Sequence, residues 1–303
     1  MTAIGARALA VRDPVQAVDL PAWLLYPTDA TPRAHRVGPY ELALASDAAP
    51  ARPAAPLGLV LISHGAGGSP WVYRGHAAHL VGAGFAVAML EHPGNSRSDN
   101  RLADTVANLE NRPRHLRLVA DAAFADPALG AQLAPGWVAV VGHSIGGYTA
   151  LAAAGGRPQT LPPLVDGQIT RAAAATWRPT PIETTREPRL AAAVLLAPAI
   201  GWFLAEGALA EVAIPLLVRT GEHDAICATR TIRAALRSVP DPARVDLVEV
   251  PGAGHFSFST PFPAELTRPG FAPAHDPPGF DRATYQAQLL PELAAFLRAQ
   301  LPT

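Results

Sequence analysis

The sequence predicts an α/β fold, a mostly parallel central sheet with helices on both faces. Two observations predict it. Residues 58–63 (GLVLIS), 85–90 (FAVAML) and 137–141 (WVAVV) are continuous apolar runs without alternation. Such runs read as strands buried on both faces. Segments with helical spacing lie between them, and buried strands alternating with helices build a parallel sheet. No repeat or linker divides the 303 residues, so the whole chain, 1–303, reads as a single domain.

Taken in order, the first fifty residues are short extended stretches broken by proline, with strands at 22–26 and 40–44. Residues 46–56 are rich in Ala and Pro and read as a loop. The buried run 58–63 leads into a helix over 73–83 and then the run 85–90. A polar loop is expected over 91–111. Pro113 suits the first turn of a helix, whose apolar face is Leu116, Val119, Ala120, Ala123 and Phe124. After the run 137–141 comes a helix over 145–154. Residues 191–196 and 214–219 are further buried runs. Residues 245–250 alternate and belong nearer an edge. Residues 282–301 read as an amphipathic helix. Two proline-rich stretches, about 157–189 and 259–280, break the rhythm. Long loops in a compact domain are commonly functional, and these two are expected to cap the site.

Composition narrows the function. The chain is 49% hydrophobic and 16% charged, with a net charge of −1. Disorder is excluded by that apolar content, and a general nucleic-acid binder by the lack of excess cations. No 18-residue apolar run is present, so no membrane span is expected. Arg7 interrupts the first ten residues, which do not read as a signal peptide. Cys227 is the single cysteine, so no internal disulfide forms. A cytoplasmic location is therefore expected. All 24 basic residues are Arg. Schiff-base enzymes, P-loop NTPases and Ser-Lys hydrolases each need a lysine this chain lacks.

The sharpest motif is Gly142-His143-Ser144-Ile145-Gly146, between a buried run and a helical stretch. Strand, sharp turn and helix are the setting of a nucleophile elbow. A serine hydroxyl needs a base to take its proton, and that base needs an acid to orient it. Asp224 and His255 follow in the required order, each in the loop after a strand. Glu222 is the rival acid. Two backbone donors for an oxyanion are expected from Ile145 and from the glycine-rich loop 63–68 (SHGAGG), where Ala66 is the choice.

These stretches, together with 84–96 (GFAVAMLEHPGNS), 196–202 (LAPAIGW), 214–224 (IPLLVRTGEHD) and 251–258 (PGAGHFSF), resemble the α/β-hydrolase superfamily. The resemblance runs from about residue 22 to residue 301. It is nearest to the bacterial predicted dienelactone hydrolase group, related to platelet-activating-factor acetylhydrolases and polyester-degrading cutinase-like enzymes. The resemblance implies the α/β-hydrolase fold with lid-like insertions. Two departures stand out. Dienelactone hydrolases proper use a cysteine nucleophile, where this chain has Ser144. The acetylhydrolases carry their acid at the position near Ala197, whereas here Asp224 lies one strand later, as in the polyester-type enzymes.

The expected activity is that of a serine carboxylic-ester hydrolase working through an acyl-enzyme on a neutral, hydrophobic ester or lactone. Trp71, Ile145, Trp202, Phe203, Ile226 and Phe256 are the expected pocket walls, with plain core packing the alternative for each. His64 is expected to hold the oxyanion loop by a hydrogen bond and His143 to be structural beside the nucleophile; His92 ends a strand at the same sheet edge, where lining the site is the alternative to plain packing. His76 and His79 sit one helical turn apart, but no third metal ligand is evident. No metal or cofactor is expected, and the partner is a small-molecule ester, with no nucleic acid. The same triad also serves acyltransferases, thioesterases and cyclases. A non-catalytic binding module on the same scaffold is the remaining reading.

Overall fold

A computed structural model describes residues 2–162 and 176–302. The strands are β1 (Ala3–Leu9), the short pair β2 (Arg12–Asp13) and β3 (Val18–Asp19), β4 (Ala22–Thr28), β5 (Arg33–Val37), β6 (Tyr40–Ser46), β7 (Leu57–Ser63), β8 (Ala86–Leu90), β9 (Leu133–His143), β10 (Leu190–Leu196), β11 (Leu216–Gly221) and β12 (Val245–Val250). The helices are α1 (Arg74–Gly82), α2 (Val106–Phe124), α3 (Ile145–Ala153), α4 (Thr229–Leu236) and α5 (Arg282–Ala299). Among the described residues a ten-stranded sheet runs β12-β11-β10-β9-β7-β8-β4-β1-β6-β5. From β12 to β8 every pairing is parallel. β4 turns antiparallel against β8 and β1.

Alternation along the strands divides the core in two. Leu59 and Leu61 of β7 join one cluster and Val60 and Ile62 the other. Helices α2, α3 and α4 cover the first face; α1 and α5 cover the second. This burial outweighs local preference. Gly146 and Gly147 in the first turn of α3 each disfavour a helix by about 1 kcal/mol. Tyr148 and Leu151 in the same helix are fully buried, and each such side chain contributes about 1.5–3 kcal/mol.

The expected loop over 91–111 is too long. Helix α2 begins at Val106, where the Thr105 hydroxyl accepts the Asn108 N–H at 3.2 Å. Pro113 is therefore inside the helix and not in its first turn. A helical proline leaves the carbonyl four residues earlier without its donor. That carbonyl is Leu109 O, and the Tyr148 hydroxyl of α3 donates to it at 3.2 Å. The sequence reading also missed α4, β1 and β5. Of the expected insertion at 157–189, residues 163–175 lie outside the described residues. No helix among the described residues is long and apolar enough to cross a membrane.

Candidate active site

The site gathers at the carboxyl ends of parallel neighbours, where open α/β sheets bind their ligands. β7 delivers the loop 64–68, β9 delivers Ser144, β11 delivers Asp224 and β12 delivers His255. Ser144 has φ of 54°, the sharp turn of an elbow between β9 and α3. A Cβ on Gly146 would collide with the Ser63 carbonyl, and one on Gly142 with the Gly146 carbonyl. Only glycine lets the turn sit this close to β7.

Asp224 and His255 meet as expected. His255 Nδ1 donates to Asp224 Oδ2 at 2.8 Å, and both residues are buried. The N–H groups of Ile226 and Cys227 donate to Asp224 Oδ1 at 2.9 and 2.7 Å, which fixes the carboxylate. Glu222, the rival acid, is exposed and accepts the Gly252 N–H instead. His143 Nε2 donates to the His255 carbonyl at 2.8 Å, bracing the histidine loop. Cys227 is buried beside the Asp224–His255 pair. Its sulfur is within 4.8 Å of ligand atoms of Asp224 and His255. Burial and the nearby Asp224 carboxylate push this thiol up to about 12.

Peptide geometry turns two N–H groups away from the bonds that hold the preceding carbonyls. The Ser144 carbonyl is held by the N–H groups of Gly147 and Ala199, each at 2.9 Å. In a trans peptide the N–H points opposite to the carbonyl, so Ile145 N–H faces away from those two bonds. It belongs to the first turn of α3 and has no intrahelical partner. The Gly65 carbonyl is likewise held, by His64 Nδ1 at 2.7 Å and by the Gly68 N–H at 3.1 Å. That leaves Ala66 N–H facing the other way. His64 holds the loop as expected: its Nε2 accepts the His92 N–H at 3.2 Å, which puts the proton on Nδ1.

A cavity of about 540 Å³ opens over these groups. Ser144, His255, Ile226 and Phe256 line it, with Ala66 among the loop residues. Phe262, Phe271 and Pro273 contribute from the 259–280 stretch. Other expected walls are misplaced. Trp71 is buried, edge-on to Trp23 with ring centroids 5.2 Å apart. Phe203 is fully buried and stacks on Tyr148. In both cases sheet-facing burial claims the ring. Trp202 and Ile145 line a separate cleft of about 520 Å³ with Leu161 and Trp177. His92 is fully buried, bonded through Nε2 to the Ser63 hydroxyl at 3.0 Å, so it lies beneath the site. Among the described residues no third ligand joins His76 and His79. Tyr73 and Arg97 also line the cavity and were missed, because neither sits in a recognisable motif.

The family model described as serine aminopeptidase, S33, matches residues 54–212, more than half of the chain. The chain belongs to this α/β-hydrolase family. No curated protein sequence matches it. Among solved structures, a ferulic acid esterase from Streptomyces cinnamoneus superposes with a TM-score of 0.69 at 19% identity, over 99% of this chain and 90% of that one. A dienelactone hydrolase from Anabaena variabilis gives 0.54 at 19% identity, over 98% and 99%. A dienelactone hydrolase-like promiscuous phosphotriesterase from metagenomic libraries gives 0.60 at 17% identity, over 99% and 100%. At these identities the likeness is one of fold, and it agrees with the dienelactone hydrolase-like resemblance carried by the family's motifs in this chain.

The buried histidines make a prediction about pH. Burial holds His64, His76, His115 and His143 neutral, with pKa values of about 3 against an ordinary 6.5. The unfolded chain protonates these groups below 6.5, while the folded chain does not until about 3. Stability is therefore present above the unfolded value and lost as pH falls from 6.5 towards 3. The melting temperature followed by circular dichroism should start to fall near pH 6.5. Carboxylates alone would delay that onset to about pH 5, and an onset that low would refute the prediction.

Proposed function

We propose that this chain is a serine carboxylic-ester hydrolase. Ser144 is the nucleophile, His255 the general base and Asp224 the acid that orients it. The observation that carries the reading is the buried 2.8 Å Asp224–His255 hydrogen bond in a cavity whose floor is Ser144 in an elbow conformation. With Nδ1 committed to Asp224, Nε2 is left as the base. Catalytic contacts are often loose before substrate binds, and Ser144 and His255 line the same cavity. Ser144 Oγ attacks the ester carbonyl, and its proton passes to His255 Nε2. Ala66 and Ile145 N–H groups hold the oxyanion. The C–O bond to the alcohol breaks, His255 protonates the alcohol, and the acyl-enzyme remains. Water, deprotonated by His255, then releases the acid.

Aromatic and aliphatic walls (Val72, Ile226, Phe256, Phe262, Phe271) favour a hydrophobic ester or lactone. Ile226 and Phe256 act as substrate contacts, and the stretch 259–280, which supplies Phe262, Phe271 and Pro273 to the cavity, acts as the cap. A p-nitrophenyl ester series from C2 to C12 tests this. The expected result is hydrolysis with a chain-length optimum, and labelling of Ser144 by a fluorophosphonate. Labelling without hydrolysis of any ester would move the activity to thioesters or acyl transfer. An unlabelled Ser144 would refute the nucleophile.

A further inference from the structure

Beneath the oxyanion loop lies a cation that the steps above leave unused. Arg112 is fully buried. It sits on the apolar stripe of α2 with Leu109, Leu116 and Val119, where a leucine or methionine would pack with no charge to bury. Its bonds all go to neutral groups: Nε to Thr149 Oγ1 at 2.9 Å, Nη1 to Asn95 Oδ1 at 2.8 Å, and Nη2 to Ser63 Oγ at 3.3 Å and to the His64 carbonyl. Among the described residues no carboxylate pairs with it. Burial pulls its pKa down to about 9, which leaves it charged at neutral pH. An unpaired buried charge is strongly unfavourable, so its place in the core calls for a return elsewhere.

The bonds say where. Holding the His64 carbonyl fixes the start of the loop whose Gly65 carbonyl is in turn held by the His64 ring. That chain sets the direction of Ala66 N–H. Thr149 accepts from Arg112 and donates to the Ile145 carbonyl at 2.8 Å, which pins the first turn of α3. One planar fork therefore spans both backbone segments that carry the oxyanion donors. We infer that Arg112 is the positioning residue of the oxyanion hole, fixing the separation of the Ala66 and Ile145 N–H groups and setting a buried positive charge beneath them. The inference rests on the serine-hydrolase reading above. A fixed cation in a water-poor site favours an anion that develops only in the transition state, so the effect belongs in kcat.

The test compares Arg112→Met, which removes charge and fork, with Arg112→Lys, which keeps the charge alone. Three quantities are read: kcat and KM for a p-nitrophenyl ester, inhibition by a trifluoromethyl ketone, and inhibition by the matching secondary alcohol. Addition of Ser144 Oγ to the ketone carbon passes the serine proton to His255 and leaves an oxyanion in the hole. The alcohol forms no such adduct. In Arg112→Met, kcat and ketone affinity should fall together by roughly 100-fold, with KM and alcohol affinity within about 3-fold of the parent. Arg112→Lys should recover part of the loss. An unchanged kcat overturns the inference, and so does equal loss of alcohol binding, which marks plain structural damage. If Arg112→Met fails to fold, Thr149→Val removes the Arg112 Nε acceptor and with it the link to Ile145, leaving the bond to the His64 carbonyl, and a kcat unchanged in that variant overturns it. If the parent hydrolyses no ester, the rate of Ser144 phosphonylation by a fluorophosphonate takes the place of kcat, since it builds an oxyanion in the same hole. Normal labelling of Arg112→Met then overturns the role of Arg112 alone, whereas no labelling of the parent overturns the serine-hydrolase reading beneath it.

Discussion

Ser144→Ala is expected to lower kcat for p-nitrophenyl ester hydrolysis by roughly 10⁴- to 10⁶-fold, the scale seen when a serine hydrolase loses its nucleophile. KM should change little, because the cavity walls stay in place. The fold should survive. Alanine and serine share the cost of a positive φ at this turn, and the carbonyl and amide of residue 144 are held by backbone bonds to Gly147, Ala199 and Leu196. A second arm separates Ser144 from its neighbour. Cys227 lies beside the same histidine, but its thiol is held near 12, so almost none is thiolate at pH 8 and alkylation is slow. Iodoacetamide should leave the parent active, while a fluorophosphonate should inactivate it. Rapid inactivation by iodoacetamide, with activity retained in Ser144→Ala, would transfer the nucleophile to Cys227 and sink the serine reading.

Much of the sheet was legible because strands buried on both faces leave a plain mark: seven consecutive buried residues in β7 read as an apolar run. The positions of the elbow, Asp224 and His255 at one sheet edge were legible for a related reason. Each follows such a run, and a parallel sheet brings successive strand ends to one edge. What stayed hidden depends on contacts between segments far apart in the chain. Pro113 looked like a helix start because its lost bond is compensated by Tyr148, 35 residues on (148 − 113), through the Leu109 carbonyl. Trp71 and Phe203 lie near the catalytic loops in sequence, yet their rings turn into the two cores. Arg112 left one trace, a cation in phase with Leu109, Leu116 and Val119. Placing the helix start at Pro113 put that residue outside the helix and erased the trace. The walls supplied by Phe262 and Phe271 come from a proline-rich stretch with no periodicity to read.

Asp224→Asn is expected to cost about 10⁴-fold in kcat, and the reason lies in the direction of one hydrogen bond. Asp224 Oδ1 is committed to two N–H donors, Ile226 and Cys227. An asparagine there keeps its oxygen on that pair and turns its NH₂ towards His255. Nδ1 then faces a donor and must accept, so the imidazole proton moves to Nε2. An Nε2–H cannot take the Ser144 proton, and the negative charge that steadies the imidazolium is gone as well. The fold should hold, because both backbone bonds to the side chain remain. Glu222 cannot substitute: it is exposed and bound to the Gly252 N–H at 2.8 Å. Glu222→Gln should accordingly keep kcat within about 3-fold. Steady-state kinetics on both variants decide the matter. Asp224→Asn retaining a tenth or more of the parent kcat, or Glu222→Gln losing as much as Asp224→Asn, would show that the acid lies elsewhere. A matched loss of melting temperature and kcat in Asp224→Asn would instead assign the carboxylate to the loop's stability.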